Sequence, residues 1–328
     1  SGILCPGEWR ILPHYKLLSS LAPFFAGSVG FMTLAPFWEF TLVVTNWDTE
    51  KVMRIIQEEK INYTMFAPAM TSMIVNHPDV TKYDFSSIER IITSAAPISP
   101  SLLRKACGIF GKVFIMPFST TETALSGSLL YPEDYDLEGP KSKRITSVGK
   151  SMVMMNVRVV DEEGKEIPWG SDKIGEVVIS GPSVGKGYWK KPEETELKDG
   201  TWYSGDLARV DEDGYIYIVD RKKDIVRRSG ENISAREVEE VLNNHPNILE
   251  SAVVGVPDDI RGEEVKAYLV ADNGEAPPLP EEIIEYCKER LADFKVPRYI
   301  EFRESFPKTA TGRIQKIILK SRLVINSK

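Results

Sequence analysis

Short apolar runs alternate with helical hydrophobic spacing along the first 150 residues of the chain. Three runs have the length of buried strands and are bounded by turn residues or helical patterns: Tyr63–Phe66, Ile91–Ile92 and Val113–Met116. Ahead of them, Asp48 is predicted to cap a helix that carries Val52, Ile55 and Ile56 on one face. This alternation of strands and helices predicts an α/β domain.

One uncharged segment, Leu17–Trp38, is 22 residues long, which is enough to span a bilayer. Serine, threonine, proline and glycine interrupt its apolar residues throughout. These interruptions favour a buried helix-and-turn segment over a transmembrane helix. We therefore predict no membrane span.

The hydrophobic pattern changes near Gly149, where strand-like runs follow one another without long helices between them. The runs are Val157–Val160, Val177–Ile179, Leu207–Val210 and Tyr215–Val219. Two acidic turns that end in glycine, Glu162–Gly164 and Asp211–Gly214, are typical of hairpins. This part of the chain is therefore predicted to be a β-rich subdomain with mostly antiparallel strands.

Beyond Asp220 the sequence is strongly charged and again mixes helices with strands. Ser234 and Glu237 have the spacing of a capping box, and Pro280 is placed to open a further helix. Two more strands are expected at Ala252–Val256 and Val265–Val270. The pattern predicts a small α+β domain.

Length and composition fit two globular domains. The chain has 328 residues, about twice a typical domain of ~150, and 42% of them are hydrophobic. We place the boundary near Asp220, which gives domains at residues 1–220 and 221–328. The net charge of −7 argues against nucleic acid as a partner. Three dispersed cysteines, Cys5, Cys107 and Cys287, suggest a reducing compartment, hence a cytoplasmic location.

Four polar clusters stand out from this background: Phe118–Glu122, Gly200–Asp206, Asp220–Asp224 and Pro307–Ile314. The first follows a predicted strand, where open α/β sheets bind ligands. Its aromatic ring, hydroxyls and carboxylate suit a base, a phosphate and a cation. The carboxylate of the second can accept two hydrogen bonds and so suits a sugar diol. Each cluster taken alone is also compatible with an ordinary loop, a β-turn or a solvated run of charges.

Taken together and in this order, the clusters resemble the motifs of the adenylate-forming superfamily, which includes acyl-CoA synthetases, luciferases and nonribosomal-peptide adenylation domains. Further matching stretches are Thr93–Pro97, Gly175-Glu176, Gly187–Trp189 and Ser229–Ile233. The resemblance covers essentially the whole chain. Arg227–Ser234 and Phe294–Pro297 look most similar to acyl-CoA synthetases, in particular to small-acid and crotonobetaine/carnitine-CoA ligases. The resemblance to the superfamily implies an α/β fold with a large adenylating domain and a mobile C-terminal domain.

The resemblance implies roles for residues of the large domain. The adenine loop corresponds to Ser94, Ala95 and Ala96. Phe118 matches an aromatic position that stacks on adenine, and stacking needs only an aromatic face. Thr121 is expected to hydrogen-bond a phosphate oxygen, and Glu122 to hold Mg²⁺, a hard cation that prefers oxygen ligands.

Further roles follow for the later motifs. Asp206 is expected to accept the ribose hydroxyls of ATP or AMP, with Arg221 reinforcing that contact. Lys223 matches the hinge about which the small domain swings. Gly230 and Glu231 are expected to approach the pantetheine of coenzyme A, because backbone at glycine can come close to a ligand. Arg227 offers a cation for the thioester half of the reaction.

Two departures from the family pattern change the expectation. The Ser/Thr/Gly-rich phosphate loop that ends in Pro-Lys has no counterpart upstream of Phe118. The chain is therefore expected to be the C-terminal part of a longer enzyme and inactive alone. Arg313 stands where the family carries its main adenylation lysine, so a planar guanidinium replaces a compact ammonium.

Three functions remain open at this point. The first is an ATP-dependent ligase that joins a small-molecule carboxylic acid to coenzyme A through an acyl-adenylate, with fatty acid metabolism as its setting. The second is an adenylating enzyme that passes the acyl group to a carrier protein. The third is a nucleotide-binding fragment without catalysis.

Overall fold

The computed structural model describes residues 5–93, 96–191, 197–272, 277–309 and 314–325. Its helices are α1 (Cys5–Trp9), α2 (Ala26–Trp38), α3 (Thr49–Glu59), α4 (Pro68–Val75), α5 (Pro100–Phe110), α6 (Ala235–Asn243), α7 (Pro280–Lys288) and α8 (Lys316–Ile325). Its strands in the first half are β1 (Lys16–Ser19), β2 (Thr41–Val44), β3 (Tyr63–Phe66), β4 (Arg90–Thr93), β5 (Phe114–Phe118), β6 (Ser128–Leu130), β7 (Lys150–Ser151) and β8 (Asn156–Val160). The later strands are β9 (Gly175–Ser180), β10 (Leu197–Lys198), β11 (Thr201–Val210), β12 (Ile216–Arg221), β13 (Val226–Arg228), β14 (Glu231–Ile233), β15 (Ile248–Asp258), β16 (Gly262–Ala271) and β17 (Tyr299–Phe302).

Seven strands form the first sheet, in the order β2-β1-β3-β4-β5-β6-β7. The five strands from β2 to β5 are parallel to their neighbours, whereas β6 and β7 are antiparallel. Every residue of Tyr63–Phe66 is buried, as expected for a strand that is covered on both faces. The predicted α/β organisation and its three buried strands are confirmed. Asp48 also caps α3 as predicted, because its carboxylate accepts a 2.8 Å hydrogen bond from the Lys51 amide.

The uncharged segment Leu17–Trp38 is part strand and part helix. The prediction of a buried helix-and-turn segment is right about the helix at α2 but wrong about its burial, since only Ser28 and Phe31 of α2 are buried. It is also wrong for Leu17–Ser19, which belong to the parallel strand β1. Leu17 and Leu18 are fully buried in the sheet, where a short apolar run has no periodicity that separates strand from helix. Among the described residues, none of the helices has the length and apolar character that a membrane crossing needs.

The second sheet has the order β10-β11-β9-β8, and β12 pairs with β11. The acidic turn before β12 closes as predicted, with the Asp211 amide donating to the Tyr215 carbonyl at 3.0 Å. Gly214 has a φ of +82°, a conformation that suits glycine. The Asp211 carboxylate accepts from the Tyr215 amide at 2.8 Å and so holds the turn.

The third sheet lies in the C-terminal part, with the order β14-β13-β16-β15 and β17 parallel to β16. Helix α6 is capped by Ser234, whose hydroxyl accepts from the Glu237 amide at 3.2 Å, and α7 begins at Pro280 as predicted. Glu237 does not complete the predicted capping box, because its carboxylate accepts from Lys295 at 2.6 Å instead. Packing divides the chain into two compact units. One comprises Ser1–Ser204 with Ala208–Ile218, and the other comprises Gly205–Leu207 with Val219–Lys328.

Candidate active site

Phe118 lies at the carboxyl end of β5, at the edge of the parallel strands. Its ring is half-buried against the apolar core, and its backbone pairs with Ser128 of β6. The neighbouring Gly127 permits this pairing, because a Cβ there would lie 2.2 Å from the Phe118 carbonyl oxygen. Close strand contact thus fixes the backbone of Phe118 at a sheet edge that is suited to ligands.

A tight turn follows Phe118 and carries the predicted residues Thr121 and Glu122. Thr123 is fully buried and holds the turn, since its hydroxyl bonds both the amide and the carbonyl of Thr120 at 3.2 Å. Ala124 and Leu125 both have positive φ, at 49° and 63°. A run of two such non-glycine residues is strained and is typical of functional loops. The turn leaves the Thr121 side chain exposed to solvent.

Glu122 is held in this turn at both its backbone and its side chain. Its carbonyl accepts a 2.7 Å hydrogen bond from the Gly185 amide, and its carboxylate accepts one from the Tyr188 hydroxyl. Partial burial raises the pKa of Glu122, but hydrogen bonding, chiefly from Tyr188, outweighs it and leaves the pKa below its ordinary value. The carboxylate is therefore ionised at neutral pH and available to a cation.

The surroundings of Glu122 fit magnesium that arrives with a nucleotide. Within the described ranges, no three His, Cys, Asp or Glu residues cluster closely enough to form a metal cage. Mg²⁺ commonly binds through one or two carboxylates together with substrate phosphates, and it keeps several waters. A single ionised carboxylate beside the exposed hydroxyl of Thr121 matches that mode.

The Asp206 carboxylate and the Arg221 guanidinium meet on neighbouring strands. Arg221 Nε lies 3.0 Å from Asp206 Oδ1, and Asp206 is only 6% exposed. The Lys222 amide donates to the Gly205 carbonyl at 2.7 Å, which ties the end of β12 to β11 beside the pair. The structure therefore brings together the two residues that the sequence linked with ribose.

Lys223 lies in the turn after β12, which is closed by the Asp224 amide donating to the Arg221 carbonyl at 2.9 Å. The side chain of Lys223 is exposed. Its carbonyl accepts a 3.3 Å hydrogen bond from Lys320 of α8. The predicted hinge residue thus lies in a short turn, and the backbone of this turn accepts a hydrogen bond from a lysine side chain of the last helix.

The hairpin β13–β14 carries the residues that were predicted to approach coenzyme A. Arg228 pairs with Glu231 across a two-residue turn, in which Ser229 and Gly230 have positive φ of 51° and 88°. This is the conformation of a type I′ hairpin turn. No atom would touch a Cβ on Gly230, so its backbone is open to a ligand. The side chains of Arg227 and Glu231 are exposed.

A buried ion cluster supports this hairpin. Glu264 is fully buried and accepts from Arg228 at 2.8 Å and from Arg261 at 2.7 Å, with Arg298 at 3.5 Å. Arg228 also donates to the Phe294 carbonyl at 2.9 Å. The cluster therefore connects Arg228 of the hairpin to Arg261 and to the backbone at Phe294.

The predicted residues fall into two groups, each inside one compact unit. The first unit holds Phe118, Thr121 and Glu122, together with Ala96, which is exposed just after β4. The second unit holds Asp206, Arg221, Lys223, Arg227, Gly230 and Glu231. Ser94, Ala95 and Arg313 lie outside the described residues.

Sequence reasoning gave no role to Tyr188, although Gly187–Trp189 was recognised as a motif. Tyr188 contacts Glu122 from 66 residues further along the chain. The only available signal was the aromatic residue next to a glycine in a motif of the superfamily. The partner of that aromatic residue could be found only in three dimensions.

Two protein families match the chain. Residues 3–189 match the family of AMP-binding enzymes, and residues 237–313 match the C-terminal domain of AMP-binding enzymes. The chain therefore belongs to the AMP-binding enzyme family and has its large AMP-binding domain and small C-terminal domain.

Individual relatives cover nearly the whole chain. The medium/long-chain-fatty-acid–CoA ligase FadD8 of Mycobacterium tuberculosis is 34% identical over 327 residues, which are 97% of this chain and 56% of FadD8. Among solved structures, the amide bond synthetase McbA of Marinactinospora thermotolerans superposes with a TM-score of 0.84 at 30% identity, covering 98% of this chain and 65% of McbA. ATP-bound MatB of Rhodopseudomonas palustris superposes with a TM-score of 0.86 at 27% identity, and the match covers 100% of this chain and 64% of MatB. The chain thus spans little more than half of FadD8.

Proposed function

We propose that the whole protein is an ATP-dependent ligase that joins a carboxylic acid to coenzyme A. In the first step, a carboxylate oxygen attacks the α-phosphorus of ATP, and pyrophosphate leaves. In the second step, the thiol of coenzyme A attacks the acyl carbon, and AMP leaves as the thioester forms. The name of FadD8 supports an aliphatic acid as the substrate and fatty acid metabolism as the setting.

The observation that carries the proposal is the nearly buried Asp206 carboxylate, which Arg221 holds at 3.0 Å. A fixed carboxylate can accept two hydrogen bonds from a ribose diol without reorganising. ATP-bound MatB, which shares the fold, supports a nucleotide as the ligand.

The remaining residues complete the proposed binding of the nucleotide. Phe118 offers its ring to adenine, and Thr121 offers its hydroxyl to a phosphate oxygen. Glu122 would hold Mg²⁺, which supplies charge neutralisation to the phosphates when it is bound. The loop Ser94–Ala96 would line the adenine, as the resemblance implies.

The C-terminal unit is proposed to serve both steps. Arg313 would neutralise charge on the carboxylate and the α-phosphate during adenylation. The open backbone at Gly230 and Glu231, on a hairpin braced by Glu264, would contact pantetheine, with Arg227 as a nearby cation. Lys223, in the turn after β12, would be the hinge between the arrangements for the two steps.

The molecule that accepts the acyl group from the adenylate can be identified by a direct experiment. Coenzyme A, a phosphopantetheinylated carrier protein and a primary amine are offered in parallel to the whole protein with ATP, magnesium and a panel of acids. We expect a thioester with coenzyme A and little product with the others. An amide as the main product would favour a second candidate function, that of an amide synthetase, which the similarity to the amide bond synthetase McbA supports. Carrier-bound acyl product as the main outcome would favour a carrier-loading enzyme.

A further inference from the structure

The segment from Gly181 to Lys191 forms a bracket around Glu122. Its amide at Gly185 reaches the Glu122 carbonyl at 2.7 Å, and its hydroxyl at Tyr188 reaches the Glu122 carboxylate. Glu122 is therefore held at its backbone and at its side chain by one stretch of chain. Two anchor points fix both the position and the direction of the carboxylate.

The bracket has its own internal bonds. The Val184 amide donates to the Gly181 carbonyl at 3.1 Å, and the Lys191 amide donates to the Tyr188 carbonyl at 3.3 Å. A Cβ on Gly185 would lie 3.2 Å from the Glu122 carbonyl oxygen, so a side chain here would crowd the approach to the turn. These hydrogen-bonded turns fix the position of Tyr188 relative to Glu122.

The Tyr188 ring is 44% exposed, so burial of the ring does not explain its placement. Its hydroxyl donates a hydrogen bond to Oε1 of Glu122. A hydrogen bond to a carboxylate is charge-assisted and directional, so it selects one rotamer of the Glu122 side chain. The bond from Tyr188 therefore restricts the orientation of the carboxylate.

We infer that Tyr188 is a positioning residue for Glu122, orienting its carboxylate toward the magnesium ion of the bound nucleotide. This inference rests on the proposed function, because it needs Glu122 to meet a nucleotide-bound cation. Tyr188 itself need not touch the metal or the nucleotide. Its contribution is to remove rotational freedom that Glu122 would otherwise lose on binding.

The test is the ratio of ATP affinities measured by calorimetry with excess magnesium and with a chelator. Tyr188→Phe removes only the hydroxyl, and we expect this ratio to fall about threefold to tenfold, the usual effect of one charge-assisted hydrogen bond that is partly exposed. Glu122→Gln should lower the ratio at least as much. In the double variant, Tyr188→Phe should have no further effect, because it acts through Glu122.

Tyr299→Phe is the matched control, since Tyr299 is 42% exposed and lies on β17 of the other unit. It should keep the wild-type ratio. An unchanged ratio in Tyr188→Phe would overturn the inference, and so would an equal loss of affinity with and without magnesium. A raised ratio would also overturn it, since the hydroxyl would then compete with the cation.

Hydrogen exchange separates this inference from the proposed function. In the nucleotide-free protein, Tyr188→Phe should speed exchange in peptides that cover residues 119–126, and Tyr299→Phe should not. Unchanged exchange there would count against the positioning role. Failure of the wild-type protein to bind ATP under any condition would instead contradict the proposed function, with the exchange result still deciding whether Tyr188 orders the turn.

Discussion

At the scale of single residues, the pair Asp206 and Arg221 was within reach of sequence reasoning and the pair Glu122 and Tyr188 was not. Asp206 and Arg221 are 15 positions apart, on strands that a recognisable acidic turn joins. Glu122 and Tyr188 are 66 positions apart, and no local pattern links them. Local chemistry and turn signals therefore predict contacts across a hairpin, while contacts between distant loops need the fold.

Asp206→Asn should weaken AMP binding about tenfold to a hundredfold, because it removes the charge that accepts the ribose hydroxyls and pairs with Arg221. Calorimetry with AMP measures the effect, and a thermal melt checks the fold. Asp199→Asn, in an exposed turn where asparagine tolerates the φ of +50°, is the control and should bind like wild type. Undiminished AMP binding by Asp206→Asn would remove the ribose assignment.

At the scale of elements, most strands and helix caps followed from the sequence, because their signals are local. The short strands β2, β6, β7, β10, β13, β14 and β17 were not predicted. Leu17–Ser19 was assigned wrongly, because it lies in β1, which is buried, short and apolar. Such a run has neither the alternation of a half-exposed strand nor the spacing of an amphipathic helix. Its assignment depends on neighbours β2 and β3, which the sequence does not place beside it.

The close approach of β5 and β6 gives a prediction about a glycine. Gly127→Ala puts a Cβ against the Phe118 carbonyl, so it should destabilise the protein by about 2 kcal/mol or more and weaken AMP binding. Gly108→Ala is the control. Gly108 lies in α5 with open space around it, so alanine should stabilise the helix by up to about 1 kcal/mol. Urea denaturation compares the two, and equal stabilities would show that the strand contact is not tight.

His245 follows the end of α6 and packs against Tyr286 of α7. The His245 ring lies 4.7 Å from Tyr286, and its Nδ1 accepts from the Asn247 amide at 3.2 Å. Burial lowers the pKa of His245 below its ordinary value of 6.5. Well above 6.5 the residue is neutral in both the folded and the unfolded state, so it causes no pH dependence there. As pH falls from 6.5 through the folded pKa, the unfolded state takes up the proton first and stability declines.

Urea unfolding from about pH 8 to about pH 5 tests this sign. His245→Gln should remove part of the loss of stability below 6.5, and His14→Gln, at an exposed position, should not. The same pH dependence in His245→Gln and wild type would show that His245 contributes nothing to it.

At the scale of the whole molecule, the family was assigned from the order of the motifs along the chain. Each polar cluster was ambiguous alone, and the family became recognisable only from their succession along the chain. The two compact units then proved to hold separate groups of candidate residues. The motifs and their order can be read from the sequence. The contacts of the bracket with Glu122 and the ion cluster at Glu264 join distant parts of the chain and could be seen only in the folded structure.

The division of labour between the two steps gives a prediction at Arg313, which lies outside the described residues. In the whole protein, Arg313→Ala should slow adenylation about 10²- to 10³-fold and slow thioester formation from a supplied acyl-adenylate much less. The reason is that a domain swing would take this residue away from the reacting atoms in the second step. Separate assays of the two half-reactions measure this, and equal losses would contradict it.

Arg313→Lys sharpens the same prediction. Raised adenylation would mean that the guanidinium is a poorer fit than the ammonium found in the family. Lowered adenylation would mean that the site is adapted to the planar guanidinium.

The central claim is that this family member activates a carboxylic acid as its adenylate. Carboxylate-dependent exchange of labelled pyrophosphate into ATP, with mass-spectrometric detection of the acyl-adenylate, measures that step directly. We expect exchange in the whole protein with at least one acid of the panel, and its loss in Glu122→Gln. The 328 residues alone should give none, because no Ser/Thr/Gly-rich loop ending in Pro-Lys precedes Phe118. Absence of exchange and of adenylate with every acid, in a whole protein that binds ATP, would contradict the account.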